Sequence, residues 1–230
     1  KFIRFIYLNL ADTSFKLKNY DETIQYGKKA LEFEKEMDPT NQLNLFFNLA
    51  NSYHMTKKDF DKALEYTLSI LEISDKLIAQ MEKTDQEAEN RENFVKKYRV
   101  YYSAPAYRLQ AMIWYSKGKN NTENIKQAAE CALKAFENDD GSENSAKLAF
   151  SLAGNLYKKK LFKEAIAVAE KTIDTEKPKY NEVSFLANLH LKTKNKEKAL
   201  HYLEIAYKVR PKAELALRIG QMFHKKNIDK

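Results

Sequence analysis

"FKEAIAVAEKTIDTEKP" spans residues 162–178, and "KEKALHYLEIAYKVRP" follows at 196–211. When the second is laid on the first, Ala199 falls on Ala165, Leu200 on Ile166 and Ala206 on Thr172. Pro211 lies within one residue of the place that Pro178 sets. A small residue, a large one and a helix stop that return at one interval mark a structural repeat. Each such unit is a piece of supersecondary structure that cannot bury its apolar face alone, so units stack.

The pattern extends toward the N terminus. "NYDETIQYGKKAL" (19–31), "DFDKALEYTLSIL" (59–71), "NIKQAAECALKAF" (124–136), "LFKEAIAVAEKTI" (161–173) and "NKEKALHYLEIAY" (195–207) align without gaps, with Thr23, Ala63, Ala128, Ala165 and Ala199 at the small position. Asp59 caps the helix of the second segment, which puts Phe60, like Tyr20, near a helix entry. Each segment follows another amphipathic stretch with its own small residue: Ala11, Ala50, Ala111, Ala153 and Ala187. The step from Ala153 to Ala165 equals that from Ala187 to Ala199. Small residues on two antiparallel helices let the backbones approach, and large residues a turn away fill the flanking grooves.

These residues resemble the tetratricopeptide repeat (TPR), a helix–turn–helix unit of about 34 residues. The carriers are the Leu–Ala pair of the first helix (Leu10-Ala11, Leu49-Ala50, Leu186-Ala187), the aromatic before the second helix, its Ala, and the closing Pro. The resemblance covers roughly 80 % of the chain and implies an all-α, right-handed superhelical solenoid of antiparallel helix pairs. One domain over 1–230 is expected, with repeats at about 4–38, 43–81, 104–138, 145–178 and 180–211 and a capping helix at 213–226. Residues 82–103 are an insertion, since the step from Ala63 to Ala128 is nearly twice one repeat. Thr84 and Glu87 read as a capping box for it. Phe94, Val95, Tyr98, Tyr101 and Tyr102 then recur at helical spacing into Leu109 and Met112, which predicts a long helix broken or kinked at Pro105. Such elongated pairs look like those in sensor TPR domains of bacterial regulators.

Composition agrees. Of 230 residues 43 % are hydrophobic and 31 % charged, with only five Gly and four Pro, a balance that favours helix over turn and strand. Cys131 stands alone, which excludes an internal disulfide framework and any multi-cysteine metal site, and fits a reducing compartment. No run reaches the ~18 apolar residues of a membrane span. No signal-peptide pattern appears, and a cytoplasmic location is expected. The first residue is Lys rather than Met, which reads as a fragment of a longer chain. Net charge is +8 and unevenly spread: residues 1–99 hold 16 Lys/Arg against 17 Asp/Glu, and residues 158–230 hold 18 against 9. That basic C-terminal third is either a solvated surface or a landing site for an acidic partner.

Motifs for chemistry are missing: no glycine-rich phosphate loop, nucleophile elbow or metal signature. His190 and His224 stand one repeat length apart, at one structural position in successive repeats, which speaks for packing. His201 has no acid or thiol at a useful spacing, Cys131 sits among alanines as a buried thiol, and "NDDGSEN" with Asp139-Asp140 reads as a polar turn. No enzyme, cofactor or metal is expected.

In the resembled family the first helices line a concave groove for extended peptides or helices. Carried onto this sequence, the groove side takes Phe5, Leu8, Asp12 and Phe15, then Asn44, Phe47, Asn51 and His54. Arg108, Met112 and Tyr115 follow, then Lys147, Phe150 and Tyr157, and last Asn188 and Lys192. Aromatic anchors interleaved with amides and cations suit peptide recognition; the other reading is that the rings pack between repeats. The carboxylate clamp that grips heat-shock chaperone tails is absent: Leu8, Asp12, Pro105 and Leu109 stand at four of its places and only Asn48 matches. The expected function is a non-catalytic protein-interaction scaffold binding a peptide or protein segment. A sensor or regulatory module of a larger signalling or transcription-regulating protein is the alternative. Nucleic-acid binding through Lys158, Lys159, Lys160, Lys163, Lys192, Lys194, Lys196 and Lys198 ranks last, since no base-stacking motif accompanies them.

Overall fold

The computed structural model describes residues 2–84 and 87–228, the side chains of 225–228 excepted, and the described residues are helical and turn structure without strands. Chain contacts divide into two units, 1–142 and 143–230. Unit 1 contains α1 (Ile3–Lys16), α2 (Tyr20–Leu31), a short 3₁₀ turn (Glu34–Glu36), α3 (Pro39–Thr56), α4 (Phe60–Met81), α5 (Ala88–Tyr98), a π-helical segment (Arg99–Ser103), α6 (Ala104–Lys117) and α7 (Thr122–Asn138). Unit 2 contains α8 (Glu143–Lys158), α9 (Phe162–Thr172), α10 (Tyr180–Lys192), α11 (Lys196–Val209) and α12 (Ala213–Ile228).

Helices adjacent in sequence pack in pairs: α1 with α2, α3 with α4, α6 with α7, α8 with α9, and α10 with α11, on which α12 lies. The small residues make this possible. Ala11, Thr23, Ala50, Ala63, Ala111, Ala128, Ala153, Ala165, Ala187 and Ala199 are each 0 % exposed. A larger side chain at any of them would hold the pair apart. Leu43, Leu49, Ile70, Leu109 and Ile113 fill the grooves of unit 1, and Val183, Leu186, Leu189 and Leu203 those of unit 2. Helix starts are capped as their sequences prescribe. The Asp59 carboxylate accepts from the Lys62 amide at 2.9 Å, and Asp38, followed by Pro39 in the first turn, accepts from the Asn41 amide at 3.0 Å.

The insertion differs from expectation in two respects. Thr84 does not cap α5: its hydroxyl donates to the Met81 carbonyl at 2.8 Å and closes α4, while Glu87 stands at the N-cap of α5 without a side-chain bond. Asp85 and Gln86, between them, lie outside the described residues. Nor does Pro105 break the helix. Proline lacks an N–H and its ring collides with the carbonyl four residues back, here Tyr101. The chain meets this by widening one turn at 99–103, where the Ala104 amide reaches the Arg99 carbonyl five residues back, and helix continues from α5 into α6. The widened turn packs on α4, where the buried hydroxyls of Ser74 and Ser103 share a hydrogen bond of 3.0 Å.

The turn at 139–142 is less polar than its sequence suggests. Asp139 is buried and bonded to Arg108 at 2.6 Å, and the exposed Asp140, at φ 52°, pairs with Lys96 at 2.6 Å.

Candidate peptide-binding groove

Between α1 and α3 lies a cleft of about 350 Å³ lined by Leu8, Asn9, Asp12 and Lys16 from α1 and by Asn41, Asn44, Leu45, Phe47 and Asn48 from α3. Both walls are first helices of their pairs. Leu8, Asp12 and Lys16 recur every four residues, and Asn41, Asn44, Leu45 and Asn48 at three and four, so each set forms one stripe of its helix. The polar groups divide by whether their bonding is already taken. Asp12 holds Lys16 at 2.6 Å and accepts from the nearly buried Asn48 amide at 3.4 Å. Asn41 is engaged with Asp38 through backbone and side chain. Asn9 and Asn44 are exposed and form no side-chain bond among the described residues. The cleft thus offers two uncommitted amides beside the apolar Leu8 and Phe47, with one ion pair at its end.

Other first-helix positions are occupied differently. The Phe15 ring meets Tyr20 edge-on at 6.2 Å, within its own pair. Asn51 donates to the Phe47 carbonyl at 2.9 Å, and His54 bonds Ser116 at 3.0 Å and leans on Phe60. Burial, with Lys57 adding to it, holds the His54 pKa below the ordinary histidine value. Arg108 is committed to Asp139, and Tyr115 lies 5.6 Å from the Lys119 ammonium. Phe5 and Met112 stay exposed.

In unit 2, Phe150 and Tyr157 meet Phe185 at 5.3 and 5.7 Å, and Tyr157 also meets Phe162 at 5.5 Å; these rings pack between helix pairs. Lys147 pairs with Glu143 at 3.1 Å. Asn188 accepts from Arg218 of α12 at 3.2 Å, and Lys192 is exposed. Of the sixteen positions placed on the groove side from sequence, Leu8, Asp12, Asn44 and Phe47 line the α1/α3 cleft. Asn9, Asn41 and Lys16 were missed, although each lies three or four residues from a position already chosen.

The titratable groups serve packing. His190 is 2 % exposed, stacks on Tyr202 at 5.5 Å and bonds Glu170 at 3.1 Å. Burial holds its pKa below the usual value, against the opposing pull of Glu170. Burial alone would raise the Glu170 pKa, but its bonds to Lys198 at 2.8 Å and to His190 outweigh that and hold the carboxyl low. His224, at the matching place one repeat length on, is exposed. Burial pushes the Cys131 thiol up to about 11. Among the described residues, no three His, Cys, Asp or Glu side chains converge as a metal site would need, and no helix is long and apolar enough to cross a membrane.

Paired helices closed on small residues, with the cleft between successive first helices, define the class. Residues 6–36 match the family model described as tetratricopeptide repeat, and the chain has the fold of TPR proteins. Among solved structures it is similar to the MamA protein, at TM-score 0.52 and 16 % identity over 90 % of this chain and 92 % of that one. It is also similar to YrrB, a TPR protein with an unusual peptide-binding site, at TM-score 0.50 and 16 % identity over 94 % and 90 %. Comparison with curated proteins gives no match.

Proposed function

We propose that this chain is a non-catalytic interaction scaffold that holds an extended peptide or protein segment in the cleft between α1 and α3. The observation that carries the reading is the pair of exposed, unbonded amides of Asn9 and Asn44 beside Leu8 and Phe47 in that cleft. An extended peptide presents N–H and C=O groups along its length, and a carboxamide can answer both, while the apolar side chains bury alternate residues of the ligand. A peptide-binding site in YrrB, a protein of the same fold, is in keeping with this. The non-catalytic part rests on the histidines and the thiol: His54, His190 and Cys131 are spent on packing.

Selection of a random displayed-peptide library on the intact chain, followed by anisotropy with the enriched peptide, tests this. Asn9 and Asn44 are exposed, so Asn9→Ala with Asn44→Ala leaves folding intact. Two hydrogen bonds of about 1 kcal/mol each predict a loss of affinity of roughly tenfold or more. Failure to enrich any peptide, or equal affinity in the double variant, refutes the reading.

A further inference from the structure

The turn inside four of the five helix pairs carries a lysine in the left-handed region: Lys18, Lys57, Lys160 and Lys194, at φ 62°, 54°, 62° and 61°. Glycine or asparagine adopts that conformation at lower cost, although a cation is favourable at a helix C-terminus. In unit 1 Lys18 and Lys57 form no ion pair among the described residues, but two cations near such turns are answered across pairs. Asp21, in the first turn of α2, binds Lys58 of the α3–α4 turn at 2.8 Å. Asp61, at the same place in α4, binds Lys117 at the end of α6 at 2.5 Å.

In unit 2 the corresponding place carries a lysine in α9 and an acid in α11. The gapless alignment of second helices puts Lys163 of α9 and Glu197 of α11 where Asp21 and Asp61 stand, and Lys126 of α7 also falls there. Stretches 158–163 and 192–198, which hold the α8–α9 and α10–α11 turns, carry eight lysines against one acid, Glu197. Lys198 is taken by Glu170. Lys158, Lys160, Lys163, Lys192 and Lys194 are all exposed, and among the described residues none forms an ion pair or side-chain hydrogen bond. The whole charge excess belongs here: residues 143–230 hold 19 Lys/Arg against 10 Asp/Glu, and residues 1–142 hold 21 against 22.

We propose that this turn edge of unit 2 is a docking surface for an acidic polypeptide segment, a run of Asp and Glu in a partner protein. Its location and partner chemistry are separate from those of the α1/α3 cleft. The five lysines have no carboxylate of this chain set against them among the described residues, and an acidic partner supplies that counter-charge. Chemistry selects polypeptide over nucleic acid. The two stretches contain no arginine, whose planar fork suits phosphate, and their one aromatic, Phe162, is half-buried against Tyr157 instead of offering a face for base stacking. Lysines are mobile point charges, which match carboxylates spaced along a flexible chain and speed its encounter.

The probe is a labelled polyglutamate peptide, its anisotropy followed against the intact chain at about 50 mM salt, beside a labelled DNA duplex. The peptide binds, and binding weakens severalfold by about 200 mM salt. Lys158→Glu with Lys163→Asp weakens it about tenfold, whereas reversal of the exposed Lys76 and Lys97 in unit 1 leaves it unchanged. A melt of the Lys158→Glu, Lys163→Asp variant shows a midpoint within a few degrees of the parent's, because an acid in the last turn of α8 is unfavourable and one in the first turn of α9 favourable; this separates lost binding from lost folding. Absence of peptide binding at low salt overturns the proposal, as does equal binding by that variant or a duplex held more tightly than the peptide. None of these outcomes depends on Asn9 or Asn44, so the cleft and the edge stand or fall separately.

Discussion

Replacing Arg108 by leucine tests whether its role is structural. The Asp139 side chain is 4 % exposed and that of Arg108 29 %, at 2.6 Å. Breaking a fully buried pair by removing one partner costs about 3–5 kcal/mol, and breaking a surface pair about 0–1. Two features place this pair between those limits. Arg108 is partly solvated, and in its absence Asp139 still accepts from the Ser142 amide at 3.1 Å and the Ser142 hydroxyl at 2.5 Å. Leucine also keeps much of the aliphatic packing of the stem. We therefore expect a loss of about 2 kcal/mol, which at a urea slope of roughly 2 kcal/mol per molar lowers the midpoint by about 1 M. Trp114, the only tryptophan, lies on α6 in the same unit as the pair, so its fluorescence reports the right transition even if the two units unfold separately. Adding Asp139→Asn removes the stranded charge, so the double variant should recover about 1 kcal/mol or more over Arg108→Leu alone. A midpoint shift below about 0.2 M for the single variant, or no recovery in the double, refutes the reasoning.

Two other outcomes follow from buried titratable groups. The folded pKa of His190 lies below the 6.5 of a free histidine, so its contribution is fully present above that pH. As pH falls below 6.5 the unfolded chain takes up a proton that the folded one refuses, and stability is lost down to the folded pKa. Urea midpoints at pH 7.5 and 5 should differ less in His190→Phe than in the parent; an identical difference counts against the burial argument. The window lies above the 4.5 at which Glu170 would begin to contribute a loss of its own, though His54 titrates in the same sense. With its thiol pushed up to about 11 and buried, Cys131 should react with a disulfide reagent at pH 8 only as fast as the chain opens. Rapid labelling of the native protein would mean that the α6–α7 contact is looser than described.

What could be read in the sequence was what local pattern determines. A recurring pattern of small and large residues specified ten positions, and all ten are fully buried, because a small residue lets the two helices of a pair approach. Asp59 formed its expected cap. Side-chain commitments were less visible. The helix face of Asn51, His54 and Arg108 follows from spacing. That their groups are already bonded to Phe47, Ser116 and Asp139 depends on partners up to 62 residues away. Thr84 misled because the same hydroxyl can open one helix or close another, and the turn before it won. Pro105 marked the irregular place in the long helix but not its form, which is a widened turn and not a break.

That widened turn sets a phase. Successive residues of an α-helix point about 100° apart, so one additional residue within a turn rotates everything beyond it by about that angle. The rod from Ala88 to Lys117 therefore presents two differently aimed stripes, one from α5 toward α4 and one from α6 toward α3, α4 and α7. Substitutions before 99–103 therefore act chiefly on the contact with α4 and, at Lys96, on the pair with Asp140, whereas those after it act on the paired core. Loss of a single residue within those five would leave every side chain chemically intact and aim one of the two stripes at the wrong neighbour.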